Sequence, residues 1–558
     1  MRKPLVFISL LAAAACSVTE PVPPADLIVH NAVIYTVNDR QAKADAVAVR
    51  DGRFVVVGSN ADALKLRGPK TRVVDAQGRS VVPGLQDAHG HFTNLGASLQ
   101  MLKLRGTSRF DQIVEMVRAR AATARPGEWI LGRSWDQNDW PDKAWPTHDT
   151  LTAAAPNNPV YLTRVDGHAA LVNKAAMDAA GLSRATRDPD GGRIIRDARG
   201  TPSGVLIDHA QQLVSGRIPE VSDQQLEEHI LLADAEARKL GLTMVHDAGA
   251  SPREVEAYKR LIDQGRLKTR LYVMLSGSLD ALRAAFAQGP IKDYAKRRLV
   301  VQAIKIVADG ALGSRGAALL EAYADEPRNA GLLTTPPEQV HAVTLAAAQA
   351  GFQTCIHAIG DRANRQALDV FEKVYGEAPV ARNLRQRIEH AQILDEADIP
   401  RFAQLNVIAS MQATHATSDM PWVAVRLGPA RTAEGAYVWQ KLIRSGAVLA
   451  NGSDFPVEEP NPMLGLYAAI TRQDATGHPP GGWMPDERLS RAEALKSFTW
   501  NAAYAAHAEQ ELGSIEPGKY ADLVLVDHDI MTAAPADILK TTVLLTVVGG
   551  EVVYEKAK

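Results

Sequence analysis

The sequence predicts an α/β fold in which eight strand–helix units close into a (β/α)8 barrel. A small sheet domain is assembled from both ends of the chain, and a large insert follows the first barrel strand. Three observations lead there. Eight apolar runs end in polar or charged residues, at 81–87, 243–247, 270–275, 299–307, 352–357, 386–390, 405–411 and 447–454. Helix-like stretches such as 223–240, 338–350 and 362–375 lie between them, which is the alternation such a barrel requires. Six side chains able to bind a metal, His89, His91, Lys305, His357, His390 and Asp454, sit at or near the ends of these runs, and a barrel of this kind carries its chemistry at the C-terminal ends of its strands.

Taken in order, the chain starts with Arg2 and Lys3, followed by the apolar run PLVFISLLAAAA and Cys16. A basic start, a short apolar stretch and small residues describe an export signal, too short to span a bilayer, which needs ~20 residues. A cysteine directly after AAA resembles a bacterial lipoprotein signal, with Cys16 as the lipidated residue, although Ala13 stands where Leu is usual. The predicted location is the periplasm or cell envelope, with membrane contact only through that lipid. Residues 17–25 are proline-rich and read as a tether. Short β-rich runs fill 26–80, with Asp51-Gly52 and Gln77-Gly78 as tight turns, and 510–558 mirrors them, folding about Gly549-Gly550. The barrel is assigned to 81–509. The stretch between its first two runs is far longer than a loop; the insert, about 95–240, contains WILGRSW, PVYLTRVDGH and a tryptophan-rich GRSWDQNDWPDKAW, and reads as a lid or substrate-binding subdomain.

Charge composition argues against nucleic-acid binding. Of 558 residues, 62 are basic and 64 acidic, for a formal charge of −2, and no arginine-rich stripe marks a nucleic-acid surface. With Cys16 acylated, Cys355 has no partner, so no internal disulfide is expected. Cys355 reads as a packed thiol. The general frequency of symmetric pairs makes a homodimer the expected oligomer.

The chemistry begins with His89 and His91. Residues two apart on a strand share a face, so the pair can grip one ion, although such pairs also serve as core hydrogen-bonding groups. Lys305 interrupts VVQAIKIV, where burial favours a neutral amine. A neutral amine adds CO2 to give a carbamate, an anionic ligand able to bridge two metals; the alternative is an ion pair with Asp309. His357 and His390 each end an apolar run and read equally as satisfied core histidines. Asp454, in NGSDFP, is either a loop cap or a metal ligand that takes a proton from water. Asp87 is a candidate supporting acceptor, and His246, His168 and Trp135 are candidate substrate contacts, with a packing role as the alternative for each.

The motifs PGLQDAHGH, IKIVADGALGS, IHAIGDRA, RIEHAQ, NGSDFPV and LGSIEPGKYADLVLVD resemble those of the amidohydrolase superfamily, most closely the branch containing N-substituted formamide deformylase. The similarity runs from about residue 26 to 555 and includes GRSWDQNDW and DGHAALVN of the insert. It implies a distorted barrel with a β-sandwich and a binuclear centre, with two zinc ions, or manganese or iron. By that resemblance His89, His91 and Asp454 hold the more buried metal, carboxylated Lys305 bridges, His357 and His390 hold the second, and Asp454 passes a proton to the leaving amine. The expected reaction is hydrolysis of a carbon–nitrogen bond in a small N-acyl or N-formyl amine. Deaminases of the superfamily usually carry Glu three residues after the strand-five histidine, where this chain has Gly360. Ester or lactone hydrolysis on the same scaffold, and a non-catalytic ligand-binding lipoprotein, are the other readings.

Overall fold

The computed structural model describes residues 23–557. The stretch expected to be an export signal, Cys16 and the first part of the expected tether lie outside the described residues. The barrel strands are β1 (Leu85–Gly90), β2 (Leu242–Ala250), β3 (Arg270–Ser276), β4 (Leu299–Val307), β5 (Gln353–Ala358), β6 (Arg387–His390), β7 (Ile408–Gln412) and β8 (Leu449–Gly452). They pair in sequence order, and every pairing is parallel. Where β1 and β8 meet, Asp454 N–H donates to His89 O and His91 N–H to Phe455 O, each at 2.7 Å. That seam brings the two ends of the barrel sequence to one point. Strands buried on both faces read as continuous apolar runs, and VVQAIKI in β4 is buried throughout.

Helices cover the outside. Asp223–Lys239 begins at Ser222, whose side chain and that of Gln225 form a capping box, a signature that satisfies two otherwise unpaired backbone donors. Pro337–Gln349 carries proline in its first turn, where no amide hydrogen is needed. Asp361–Glu377 follows β5 directly.

Two further sheets, one of four strands from the N-terminal end alone and one of six strands from both chain ends, share the core of Leu27, Val29, Ile34, Val47, Phe54, Val81, Leu523 and Val547. Here the structure departs from the expected boundaries. Val81, Val82 and Pro83 pair with Leu523–Leu525 in the terminal sheet, so the apolar run from 81 is divided at Gly84, and β1 starts only at Leu85. The Gln77-Gly78 turn joins strands of different sheets and makes no hairpin. Leu512 and Tyr520 pack with Tyr272, Met274, Cys355 and Ala503 beneath the barrel and not in the terminal core. Cys355 is buried among them and pairs with no cysteine among the described residues.

The insert holds a six-stranded mixed sheet formed by 192–196, 202–208, 169–172, 160–164, 130–135 and 102–103. It has its own core, in which Ile130, Trp135, Trp140 and Leu162 are buried.

Candidate metal centre

Period two in β1 puts Asp87 and His89 on one face, with His91 just beyond the strand on the same side. Gly90 between the two histidines leaves room for the Phe455 ring, which a Cβ would meet at 2.6 Å. Asp87 ties the seam together: it accepts from His89 N–H at 3.0 Å and from the Ser453 hydroxyl at 2.6 Å. Burial pushes its carboxyl up to about 6.

His89 is oriented from behind. Its Nδ1 lies 2.5 Å from Oε2 of Glu389, so Nδ1 carries the hydrogen and Nε2 faces the site. There Lys305 Nζ stands 3.2 Å away and Asp454 Oδ1 3.4 Å. His91 Nε2 lies 3.1 Å from the same Asp454 oxygen. His390 donates from Nδ1 to Gln412 Oε1 at 2.7 Å, which leaves its Nε2 facing inward. Its ring centroid is 4.8 Å from that of His89 and 4.5 Å from that of His357.

Simple alternation does not account for His390. Arg387 and Glu389 share one face of β6, so His390 belongs on the other. Its φ of 73°, a left-handed value uncommon for a residue with a side chain, turns the ring back to the site. Asp454, at φ 58°, uses the same device just past β8. The structure thus brings His89, His91, Lys305, His357, His390 and Asp454 around one point.

Charge follows burial and partners. Burial lowers the Lys305 ammonium below its usual range and holds His357 and His390 well below theirs, as neutral imidazoles. Burial also acts to lower His89, but Glu389 and Asp454 outweigh it and the net shift is upward. Burial would raise Asp454, but the adjacent His89 and His91 hold it well below the ordinary carboxylate range. Asp309 does not pair with Lys305. It accepts from the backbone of Ala318, Ile359 and Gly360 at 2.8, 3.0 and 2.8 Å and stands 3.6 Å from His357 Nε2.

The donor set fits a cation. One ligand atom each from His89, His390 and Asp454 lie within 4.8 Å of one another. His357 Nε2 is buried with no hydrogen-bond partner, an arrangement that costs about 1–3 kcal/mol when nothing fills it. Neutral imidazole nitrogens and an ionised carboxylate are the donors that divalent metals such as zinc take.

The sequence matches the description of the Amidohydrolase family over residues 72–554. The chain belongs to the amidohydrolase family. It is 36% identical to Protein LONG AFTER FAR-RED 3 of Arabidopsis thaliana, over 95% of this chain and 92% of that protein. It is 28% identical to N-substituted formamide deformylase of Arthrobacter pascens, over 95% and 98% of the two chains. Among solved structures, an uncharacterized metal-dependent hydrolase from Pyrococcus horikoshii OT3 superposes with a TM-score of 0.75 at 26% identity, covering 91% of this chain and 99% of that one. Amidohydrolases are generally metal-dependent hydrolases, in keeping with the donor set at this barrel mouth.

In this amidohydrolase the six residues form the floor of a cavity of about 630 Å3, a volume suited to a small molecule. The insert forms its upper wall through Ser134, Asp136, Arg164, Asp166 and His168. His168 holds Asp208 at 2.8 Å through Nδ1. Two expected substrate contacts are corrected. Trp135 is fully buried in the insert core, donating from Nε1 to Leu162 O at 2.8 Å and stacked on Trp140. With its indole N–H satisfied by backbone the whole ring can be buried, and its polar neighbours Ser134 and Asp136 face the cavity instead. His246 is fully buried against Arg387 at 2.9 Å and Tyr272 and does not line the cavity.

Sequence reasoning missed Glu389, Arg387, Gln412 and His415. Arg387 is fully buried and holds Glu389, Ala88 O and Ser410. The available signal was an Arg and a Glu two apart inside the apolar run that ends at His390. Gln412 and His415, around the end of β7, carried no comparable signal.

Proposed function

We propose that this protein hydrolyses a carbon–nitrogen bond of the amide type in a small N-acyl or N-formyl amine. The observation that supports this most is the convergence of six donor residues on the floor of a cavity walled by the insert. The relative whose printed name is N-substituted formamide deformylase supports the same bond type.

In this reading His89, His91 and Asp454 would hold one divalent cation and His357 and His390 a second, with Lys305, as its carbamate, supplying a further anionic ligand. Zinc suits the set, with manganese or iron as alternatives. A divalent cation supplies Lewis acidity, polarising a carbonyl and lowering the pKa of water to about 7. The residues do the rest. Lys305, with its ammonium disfavoured by burial, offers the neutral amine that adds CO2. Asp454, held ionised by its histidine neighbours, accepts the proton of the attacking water and passes it to the departing nitrogen. Glu389 and Gln412 fix the faces that His89 and His390 present. Asp136 and Asp166 clamp Arg164, each at 2.6 Å, which holds the insert's wall over the cavity.

A deaminase of the kind with an acid three residues after His357 is disfavoured on steric grounds. A Cβ at Gly360 would lie 2.0 Å from Ala318 O, so no side chain fits there. The test is amine release from N-formyl, N-acetyl and longer N-acyl amines, with esters, lactones and amino-heterocycles alongside. Turnover of the amides supports the proposal. Ammonia from amino-heterocycles alone, or ester cleavage alone, would replace it with the corresponding alternative.

A further inference from the structure

His415 belongs to none of the roles assigned above, yet it stands against the site. It lies on the short helix Ala413–Asp419 directly after β7 and lines the same cavity as the six donor residues. Its ring is stacked on His390 with centroids 5.9 Å apart and planes 12° from parallel. That stack fixes the direction of the imidazole. Its Nε2 is buried with no hydrogen-bond partner and lies 3.8 Å from Asp454 Oδ2.

We propose that His415 is a further catalytic residue, whose Nε2–H donates a hydrogen bond to the acyl oxygen of the substrate as that oxygen gains negative charge. This rests on the reading of the site as one for acyl transfer to water. The ionised Asp454 carboxylate favours the tautomer with hydrogen on the nitrogen that faces it. At 3.8 Å the two do not hydrogen-bond. The donor is therefore aimed at the reacting region and left for a third partner. His415 lines the cavity beside Asp454, so the partner is a substrate oxygen that seats against the ring next to the water that Asp454 deprotonates. A donor held in place before the reaction begins stabilises charge that appears only in the transition state, and losing one such donor costs ~10²–10³-fold in kcat.

The experiment compares wild type, His415→Phe and His415→Gln, all purified with metal, on amide, ester and lactone substrates. Phe keeps the stack on His390 and removes the donor; Gln restores an N–H. The expected result for His415→Phe is wild-type metal content and melting temperature, kcat lower by ~10²–10³-fold and KM near wild type, with His415→Gln recovering most of the rate. Wild-type kcat in His415→Phe overturns the proposal. So does a rise in KM alone, which marks ground-state binding, or loss of metal in step with rate, which marks support of the ligands. If Phe does not fold, His415→Met, also lacking an N–H, takes its place with the same outcomes. Cleavage of esters but not amides sinks the amide reading while the His415 comparison still decides this one, and a metal-loaded wild type inert on every substrate overturns both.

Discussion

Glu389 Oε2 lies 2.5 Å from His89 Nδ1, with both side chains fully enclosed, and the same carboxylate takes Arg387 Nε at 2.9 Å. One buried acid therefore sets the tautomer of a histidine that faces the site and neutralises a buried guanidinium. His89 and Arg387 hold it ionised, well below the usual carboxylate range, against the opposing effect of burial.

Glu389→Gln keeps the shape but removes the charge behind His89. Metal affinity is expected to fall ~10–100-fold, read by competition with a chelator. Glu389→Ala leaves Arg387 as an uncompensated buried charge and is expected to cost about 3–5 kcal/mol in urea denaturation. Wild-type metal affinity in Glu389→Gln would count against the orienting role.

Trp135→Ala is expected to destabilise the insert by about 3–5 kcal/mol, because a buried aromatic is lost from its core. Metal content is expected to stay at the wild-type level, since the ring packs away from the cavity. A protein of wild-type stability with altered substrate preference would contradict this placement.

Gly360→Glu is expected to lose stability by at least about 1–3 kcal/mol and to gain no deaminase activity, because the new side chain meets Ala318 O. Denaturation and an ammonia-release assay read the two effects, and a stable variant releasing ammonia would show that the loop yields.

How much of this was legible beforehand follows from parity and burial. β4 and β5 are buried parallel strands, so their apolar runs stood out, and Lys305 and His357 were visible as polar residues ending them. His89 and His91 followed from period two. His390 and Asp454 were found by position, while the left-handed backbone that aims them leaves no mark in a period-two pattern. Glu389 sat beside His390 in plain view, but a charge in a short run reads as a strand end until its partner on β1, three hundred residues away in sequence, is known. Trp135 was misplaced because a tryptophan in a lid reads equally as a substrate contact or as core.

Asp247 gives a pH signature. It accepts from Phe92 N–H at 2.9 Å and the Tyr258 hydroxyl at 2.7 Å, and burial pushes it up to about 7. Between about pH 4, where it ionises in the unfolded chain, and about 7, the folded protein keeps a proton that the unfolded chain has lost. Its contribution is full below the lower value and falls as pH rises to the upper one, by about 1.4 kcal/mol per pH unit. Asp247→Asn is expected to flatten the stability profile across that window by this slope. Denaturation at several pH values, both proteins saturated with metal, reads it; parallel profiles would contradict it.

The most direct test of the account is metal content per chain, measured by mass spectrometry on wild type and Lys305→Ala purified side by side, with turnover of an N-acyl amine recorded on the same samples. The account predicts about two divalent cations per wild-type chain, and a loss of both metal and turnover in Lys305→Ala. A variant that keeps the wild-type metal content and rate would contradict it.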